Sequence, residues 1–285
     1  MKRAFSLIEL SIVILIIGIL VAGVTQGSRL VAQFRLTNAR TQTQNAPMTS
    51  MLNMALWFES TSTQSIADAE TENGLTVSTW YDINPTSTYK YNATQGTSGS
   101  RPLYTTNCIN SLPCLRFDGV DDFLLYDGTF LSGSDYTIVV VEQRRDGKTF
   151  NYFLGGSDAL VNANLTLGYS YDANRILFSQ YGNDLEIDVA DYTSPIPRIH
   201  LFRFNSTSGK TSYQNSLTAS TLIGSASPTV SLISYNGAAI GRYIPDSAFY
   251  NGDISEIIIF TRALKTEEIN SIMTYLSKKW GIVLI

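Results

Sequence analysis

The longest apolar run in the chain, Phe5 to Val24, is broken by a single charge, Glu9, and follows a basic head of Lys2 and Arg3. Twenty helical residues rise about 30 Å, the thickness of a bilayer's hydrocarbon. The cationic head places the amino end in the cytoplasm and everything after the run outside it. From Gly27 to about Asn45 the pattern stays helical, with Leu30, Val31 and Phe34 on one face. Pro47 marks the end, because the residue before a proline avoids the α region. One helix over residues 5–46 would be about 63 Å long.

Beyond residue 48 the pattern changes. Short apolar or alternating stretches recur between Gly, Asn and Asp turns: Met51 to Phe58, Leu75 to Asp82, Cys114 to Phe117, Phe123 to Tyr126, Tyr136 to Val141, Tyr152 to Leu154, Leu165 to Tyr169, Arg175 to Ser179, Leu185 to Val189, His200 to Phe204, Thr211 to Gln214, Ala238 to Arg242 and Ile254 to Phe260. Residues 89–103, rich in Gly, Ser, Thr and Asn, read as loop. Many short strands with such turns predict an antiparallel sandwich or barrel. The last element returns to helical spacing: Ile269, Ile272, Met273, Leu276 and Trp280 form one face, Thr266 caps the start and Gly281 the end. The chain thus divides into a leader (1–4), a membrane and stalk helix (5–47) and a β head (48–285).

Glu9 is the first residue with a chemical message. A carboxylate in hydrocarbon costs about 2.5–3.5 kcal/mol on insertion scales, so it implies a partner. Neither an ordinary cleaved secretory signal nor a plain anchor explains it. Ala4-Phe5-Ser6-Leu7-Ile8-Glu9-Leu10, followed by the unbroken apolar helix, resembles the type IV pilin and pseudopilin family. The resemblance covers about a tenth of the chain. It implies that a prepilin peptidase cuts between Ala4 and Phe5, that the new amino group of Phe5 is methylated, and that Glu9 faces the terminal amine of a neighbouring subunit during filament assembly. Ala4 departs from the family's usual Gly before the cut. The proline many major pilins carry some twenty residues into the helix is absent, and Gly23 and Gly27 read as a close-packing face.

Composition and charge narrow the picture further. Charged residues make up only 15% of the chain, and Tyr and Phe number 16 and 13, which suits an extracytoplasmic β protein. Removing Lys2 and Arg3 leaves eighteen basic against twenty-four acidic side chains, a balance of −6. The head has no basic patch for nucleic acid. Arg29, Arg35 and Arg40 are the only charges between Glu9 and Glu59, so the stalk is basic where it leaves the membrane, against lipid headgroups or the acidic heads of neighbouring subunits. Cys108 and Cys114 flank a five-residue loop and, outside the cytoplasm, are expected to form a disulfide. One histidine and no Cys-x-x-Cys pair exclude an ordinary structural zinc site.

The head also resembles the concanavalin A-like lectin/glucanase superfamily in its laminin G-like form. The residues that carry the resemblance are Ala55-Leu-Trp-Phe-Glu, Val77-Ser-Thr-Trp-Tyr-Asp, Arg101-Pro-Leu-Tyr, Leu115-Arg-Phe-Asp-Gly-Val-Asp-Asp-Phe-Leu, Tyr136-Thr-Ile-Val-Val-Val and Asn251-Gly-Asp-Ile-Ser-Glu-Ile-Ile-Ile-Phe-Thr-Arg-Ala-Leu, with Tyr275-Leu and Lys279-Trp-Gly-Ile at the end. It implies a jelly-roll β-sandwich between the long N-terminal helix and the short C-terminal one. The superfold hosts lectins, hydrolases and inert spacers, so it leaves function open.

Four chemistries are weighed against plainer alternatives. Glu186 and Asp188 fall on one face of a strand, with Asp191 beyond, as in the Glu-x-Asp-x-x-Glu pattern of this superfamily's glycoside hydrolases. Asp191 is shorter than the expected Glu, the stretch lacks an aromatic flank, and a solvent-facing acidic edge strand explains it as well. Asp118, Asp121 and Asp122 have the hard oxygens calcium needs, yet Asp118-Gly119 also reads as a turn with its acids in water. His200 has no convincing nucleophile or acid partner, so it reads as structural rather than catalytic. Tyrosines that could stack on sugars are also ordinary filler in β domains, and the sequons at Asn92, Asn164 and Asn205 carry little weight in a bacterial chain.

The expectation is a pilin-like structural or adhesive subunit, minor or at a filament tip given its bulky head. It is expected to be held in a bacterial inner membrane with its C-terminus outside, then in a pilus or pseudopilus. Its partners would be other pilin-like subunits, prepilin peptidase and a carbohydrate or protein ligand of the head. No enzyme activity and no cofactor are expected. The alternatives are a pseudopilin of a secretion system and a membrane-tethered glycoside hydrolase.

Overall fold

The computed structural model of the chain describes residues 7–172, 174–189, 192, 194–215, 222–226, 230–245 and 248–284. Ala4, Phe5 and Asp191 lie outside them. Helix α1 (Leu7–Gln44) runs unbroken through the membrane-length apolar segment and the basic stalk, about 57 Å at 1.5 Å per residue. It ends before a short 3-10 turn, Pro47–Ser50, with proline in the first position where its missing N–H costs nothing.

The head is a sandwich of two large antiparallel sheets. The first is centred on the strand Asn251–Phe260. That strand pairs with Tyr136–Arg144 on one side, and on the other with Cys114–Asp118 along its first half and Met54–Glu59 along its second. The second sheet contains the strands Asn151–Gly155, Thr166–Tyr169, Arg175–Ser179 and, at one edge, Asp184–Asp188.

Alternation along the strands builds two cores. Ile138, Val140, Phe202, Ile257 and Ile259 point between the sheets, against Phe153, Leu167, Ile176 and Phe178. Their neighbours Val139, Val141, Ile199, Leu201 and Ile258 point the other way. There they meet helix α2 (Thr266–Trp280) and the last residues of the stalk, Ala39, Ala46 and Met48. A bulge between Ile254 and Glu256 resets the alternation in the central strand, so Ile254 and Ile257 both face inward. The layers therefore run helices, first sheet, second sheet, and the outer face of the second sheet is turned away from the stalk.

The structure changes several local expectations. Residues 89–103 contain the short strand Ala93–Thr94, and Leu103 opens another, Leu103–Thr105. Only Thr79–Trp80 of the stretch 75–82 is strand. The α2 cap is Lys265, not Thr266: the Glu268 carboxylate reaches back 2.9 Å to the Lys265 amide, and Thr266 is the first helical residue. Gly281 closes the helix in the left-handed conformation, φ 64°.

Candidate functional site

The joint between stalk and head is a buried polar cluster. The Lys279 ammonium lies 2.7 Å from Glu59 Oε1 and 3.0 Å from Glu256 Oε2, all three side chains fully buried. Glu256 also accepts from the Trp57 and Trp280 indoles, each at 2.8 Å, and from the Tyr275 hydroxyl at 3.1 Å. Glu59 accepts from the Thr61 and Ser62 amides, both at 2.7 Å. Burial pushes the Glu256 carboxyl above its ordinary range, with Lys279 opposing the shift and Glu59 adding to it. The stalk enters through two bonds: Lys279 Nζ donates to Thr43 Oγ1 at 2.8 Å, and Arg40 Nε donates to the Thr61 carbonyl at 2.8 Å.

A disulfide joins Cys108 to Cys114, with Cα atoms 5.9 Å apart. Inside its loop, Asn110 donates to the Lys279 carbonyl at 3.0 Å, which satisfies a free carbonyl at the end of α2. Glu9 is exposed on α1 in the isolated subunit.

Asp118, Asp121 and Asp122 are brought together, their nearest carboxylate oxygens within 4.8 Å of one another. Two of the three are occupied by the turn itself. Asp118 Oδ1 accepts from the Val120, Asp121 and Asp122 amides, and Asp122 Oδ2 accepts from the Asp118 amide at 3.0 Å. Asp121 accepts from Ser100 Oγ at 3.1 Å. Burial, and then the charge of Asp118, push Asp122 up to about 7.

His200 is buried between the sheets, where the ring stacks on Phe153 and Phe202. Nε2 is 3.0 Å from Glu142 Oε1, and the Tyr169 and Tyr250 hydroxyls donate to the same carboxylate. Burial holds the imidazole below its ordinary range, so it is neutral and donates Nε2–H. Burial acts to raise Glu142, but the bond to His200 and the nearby cationic and hydroxyl groups hold it low and ionised. The network is sealed from solvent and serves the core.

The outer face of the second sheet carries a cleft of about 200 Å³. Its floor is Tyr152, Tyr243 and Leu177, the two rings edge-to-face at 5.7 Å. Tyr171 and Tyr181 stand at its margin, 55% and 38% exposed, with the Arg175 guanidinium over the Tyr171 ring. Asp184 and Glu186 line it from the edge strand, whose acids alternate outward while Leu185 and Ile187 point inward. Arg175 binds both acids of the hydrolase-like pattern: its guanidinium is 3.0 Å from Glu186 Oε2 and 2.9 Å from Asp188 Oδ1, and donates to the Tyr171 hydroxyl at 2.8 Å. The sequence reading missed this site. It expected no aromatic flank beside Glu186, and the aromatics in fact come from Tyr152 and Tyr243, on other strands. The one local signal was Tyr171 and Tyr181, bracketing the strand that pairs with the acidic one.

Residues 1–25 match the prokaryotic N-terminal methylation motif. No curated protein matches the chain. Among solved structures the fold is similar to that of the Trypanosoma rangeli sialidase in complex with 2,3-difluorosialic acid, with TM-score 0.54 and 15% identity over 81% of this chain and 33% of that one. It is also similar to a GH54 α-L-arabinofuranosidase soaked with a cyclic sulfate inhibitor, with TM-score 0.53 and 13% identity over 72% of this chain and 51% of that one. The chain thus spans about a third of the sialidase and about half of the arabinofuranosidase, and the likeness is one of fold.

Proposed function

We propose that this chain is a pilin-like filament subunit whose β-sandwich head is a carbohydrate-binding module rather than an enzyme. The observation that carries the reading is the placement of the cleft. The stalk and α2 cover one face of the sandwich, and the tyrosine-floored cleft opens on the opposite face. A filament built through α1 leaves that cleft outward. The methylation motif supports the assembly half of the proposal: a prepilin peptidase cuts after Ala4, Phe5 is methylated, and Glu9 pairs with a neighbour's terminal amine, which neutralises two charges costly in lipid. The size of the head favours a minor or tip position over a densely repeated one.

Binding is favoured over hydrolysis because Arg175 engages both Glu186 and Asp188, leaving neither as an unpaired general acid or base. The first test is the intact mass and N-terminus of the membrane-extracted protein, with and without prepilin peptidase. A methylated start at Phe5, dependent on the peptidase, is expected; a start at Met1 in both would remove the filament pathway. For the head, no release of sugar from β-glucans is expected. Hydrolysis lost in Glu186→Gln would replace the module with a tethered hydrolase.

A further inference from the structure

We infer that the cleft sorts its sugars by charge, favouring pyranosides that bear a free amine over neutral ones and rejecting carboxylated ones. This rests on the carbohydrate reading above and gives it a ligand class. The floor itself is indifferent: Leu177 and the nearly buried rings of Tyr152 and Tyr243 are apolar, and Tyr171 and Tyr181 at the margin expose apolar surface to any pyranose.

The rim is not indifferent. Among the described residues lining the cleft, Asp184 and Glu186 are acidic and none is basic. The edge strand, paired with Arg175–Ser179, adds Asp188 beyond them. Arg175 is the one cation on that pair, and Glu186, Asp188 and the Tyr171 hydroxyl already hold its guanidinium. Lys210 approaches the same strands from inside the sandwich, where it donates to the Phe178 and Asn183 carbonyls and is fully buried. The lining and its edge strand thus carry three carboxylates against one engaged guanidinium, which leaves the mouth negative. Such a rim accepts hydrogen bonds from sugar hydroxyls, attracts an ammonium and repels a carboxylate. A single partly exposed charge pair changes affinity by a few fold, and salt weakens it.

The test titrates the full-length protein in neutral detergent with three tetrasaccharides: one of glucosamine, one of N-acetylglucosamine and one of galacturonate. The expected result is about threefold to tenfold tighter binding of the amine over the acetylated form, with no saturable binding of the uronate. That preference should fall below about twofold in 0.5 M salt and in the Asp184→Asn/Glu186→Gln variant. Uronate binding as tight as the others, or an amine preference that survives in the variant, overturns the charge class while leaving the sugar cleft standing. If none of the three binds, or if Tyr171→Ala and Tyr181→Ala leave binding unchanged, the carbohydrate reading itself falls and the charge class with it.

Discussion

Thr43, in the last turn of the stalk helix, accepts a 2.8 Å hydrogen bond from Lys279, in the last turn of the C-terminal helix. Residues 236 positions apart in sequence thus share one buried ammonium with Glu59 and Glu256. Lys279→Met would strand two carboxylates in the helix-facing core. Removing one partner of a buried charge cluster costs about 3–5 kcal/mol. Thr43→Val removes a hydroxyl that accepts from Lys279 and donates to the Ala39 carbonyl, and should cost about 1–2 kcal/mol. Thermal or denaturant unfolding of the two variants checks both numbers. Equal, small losses would mean the cluster contributes little.

The disulfide loop supports the same joint from below. Closing seven residues stabilises by about 2 kcal/mol in the chain-entropy picture. Cys108→Ser/Cys114→Ser should lose about that much. It should also expose the end of α2 to hydrogen exchange, because Asn110 would no longer be held against the Lys279 carbonyl. Exchange unchanged at residues 278–282 would separate the loop from the helix end.

Asp122 sets a pH dependence of one sign. Its carboxyl titrates near 7 in the folded chain and near 3.8 when unfolded, so the folded state holds the extra proton between those values. Stability falls as pH rises from about 4 to about 7. Asp122→Asn should remove that slope and raise the melting temperature at pH 8. Calcium that raised the wild-type melting temperature, but not that of the variant, would mark the Asp118 turn as a metal site.

His200 contributes the opposite slope. Its folded pKa lies below the ordinary value of 6.5, so the unfolded chain takes up the proton first and stability falls as pH drops below about 6.5. It is the only histidine in the chain, so one imidazole signal followed by NMR reports it directly. An imidazole that titrates normally near 6.5 would overturn its burial against Glu142.

Glu9→Ala should leave processing and membrane insertion intact and abolish sheared filaments. Normal filament yield from that variant would remove the proposed role of Glu9 in assembly.

Much of this architecture was legible in the chain because period and spacing are local. The apolar run, Pro47 and the β pattern announced a long helix and a sandwich, and α2 was readable from Ile269, Ile272, Met273, Leu276 and Trp280. Strand alternation also put Glu186 and Asp188 on one face, as the structure has them. What the sequence hid is non-local. Nothing local marks Lys279, a lysine of a last helical turn, as buried, yet it is fully buried because Glu59 and Glu256, far away in sequence, supply its counter-charges. The cleft was invisible for the same reason: a concave surface belongs to the register of several strands, and no single stretch shows Tyr152, Tyr243 and Glu186 together. The Thr266 cap was misplaced by one residue because Lys265 follows no capping preference, and Glu268 supplies the bond instead.

The joint has a mechanical meaning. The last turns of α1 are tied to the head at Thr61 through Arg40 and, through Thr43 and Lys279, at Glu59 and Glu256. Tension on the stalk would therefore reach the paired strands Met54–Glu59 and Asn251–Phe260 together, through Lys279. Antiparallel ladder bonds lie perpendicular to their strands, so any component of the pull along the strands would load many of them at once. A head that holds a surface while its filament is tugged would share that load across the ladder joining the two strands.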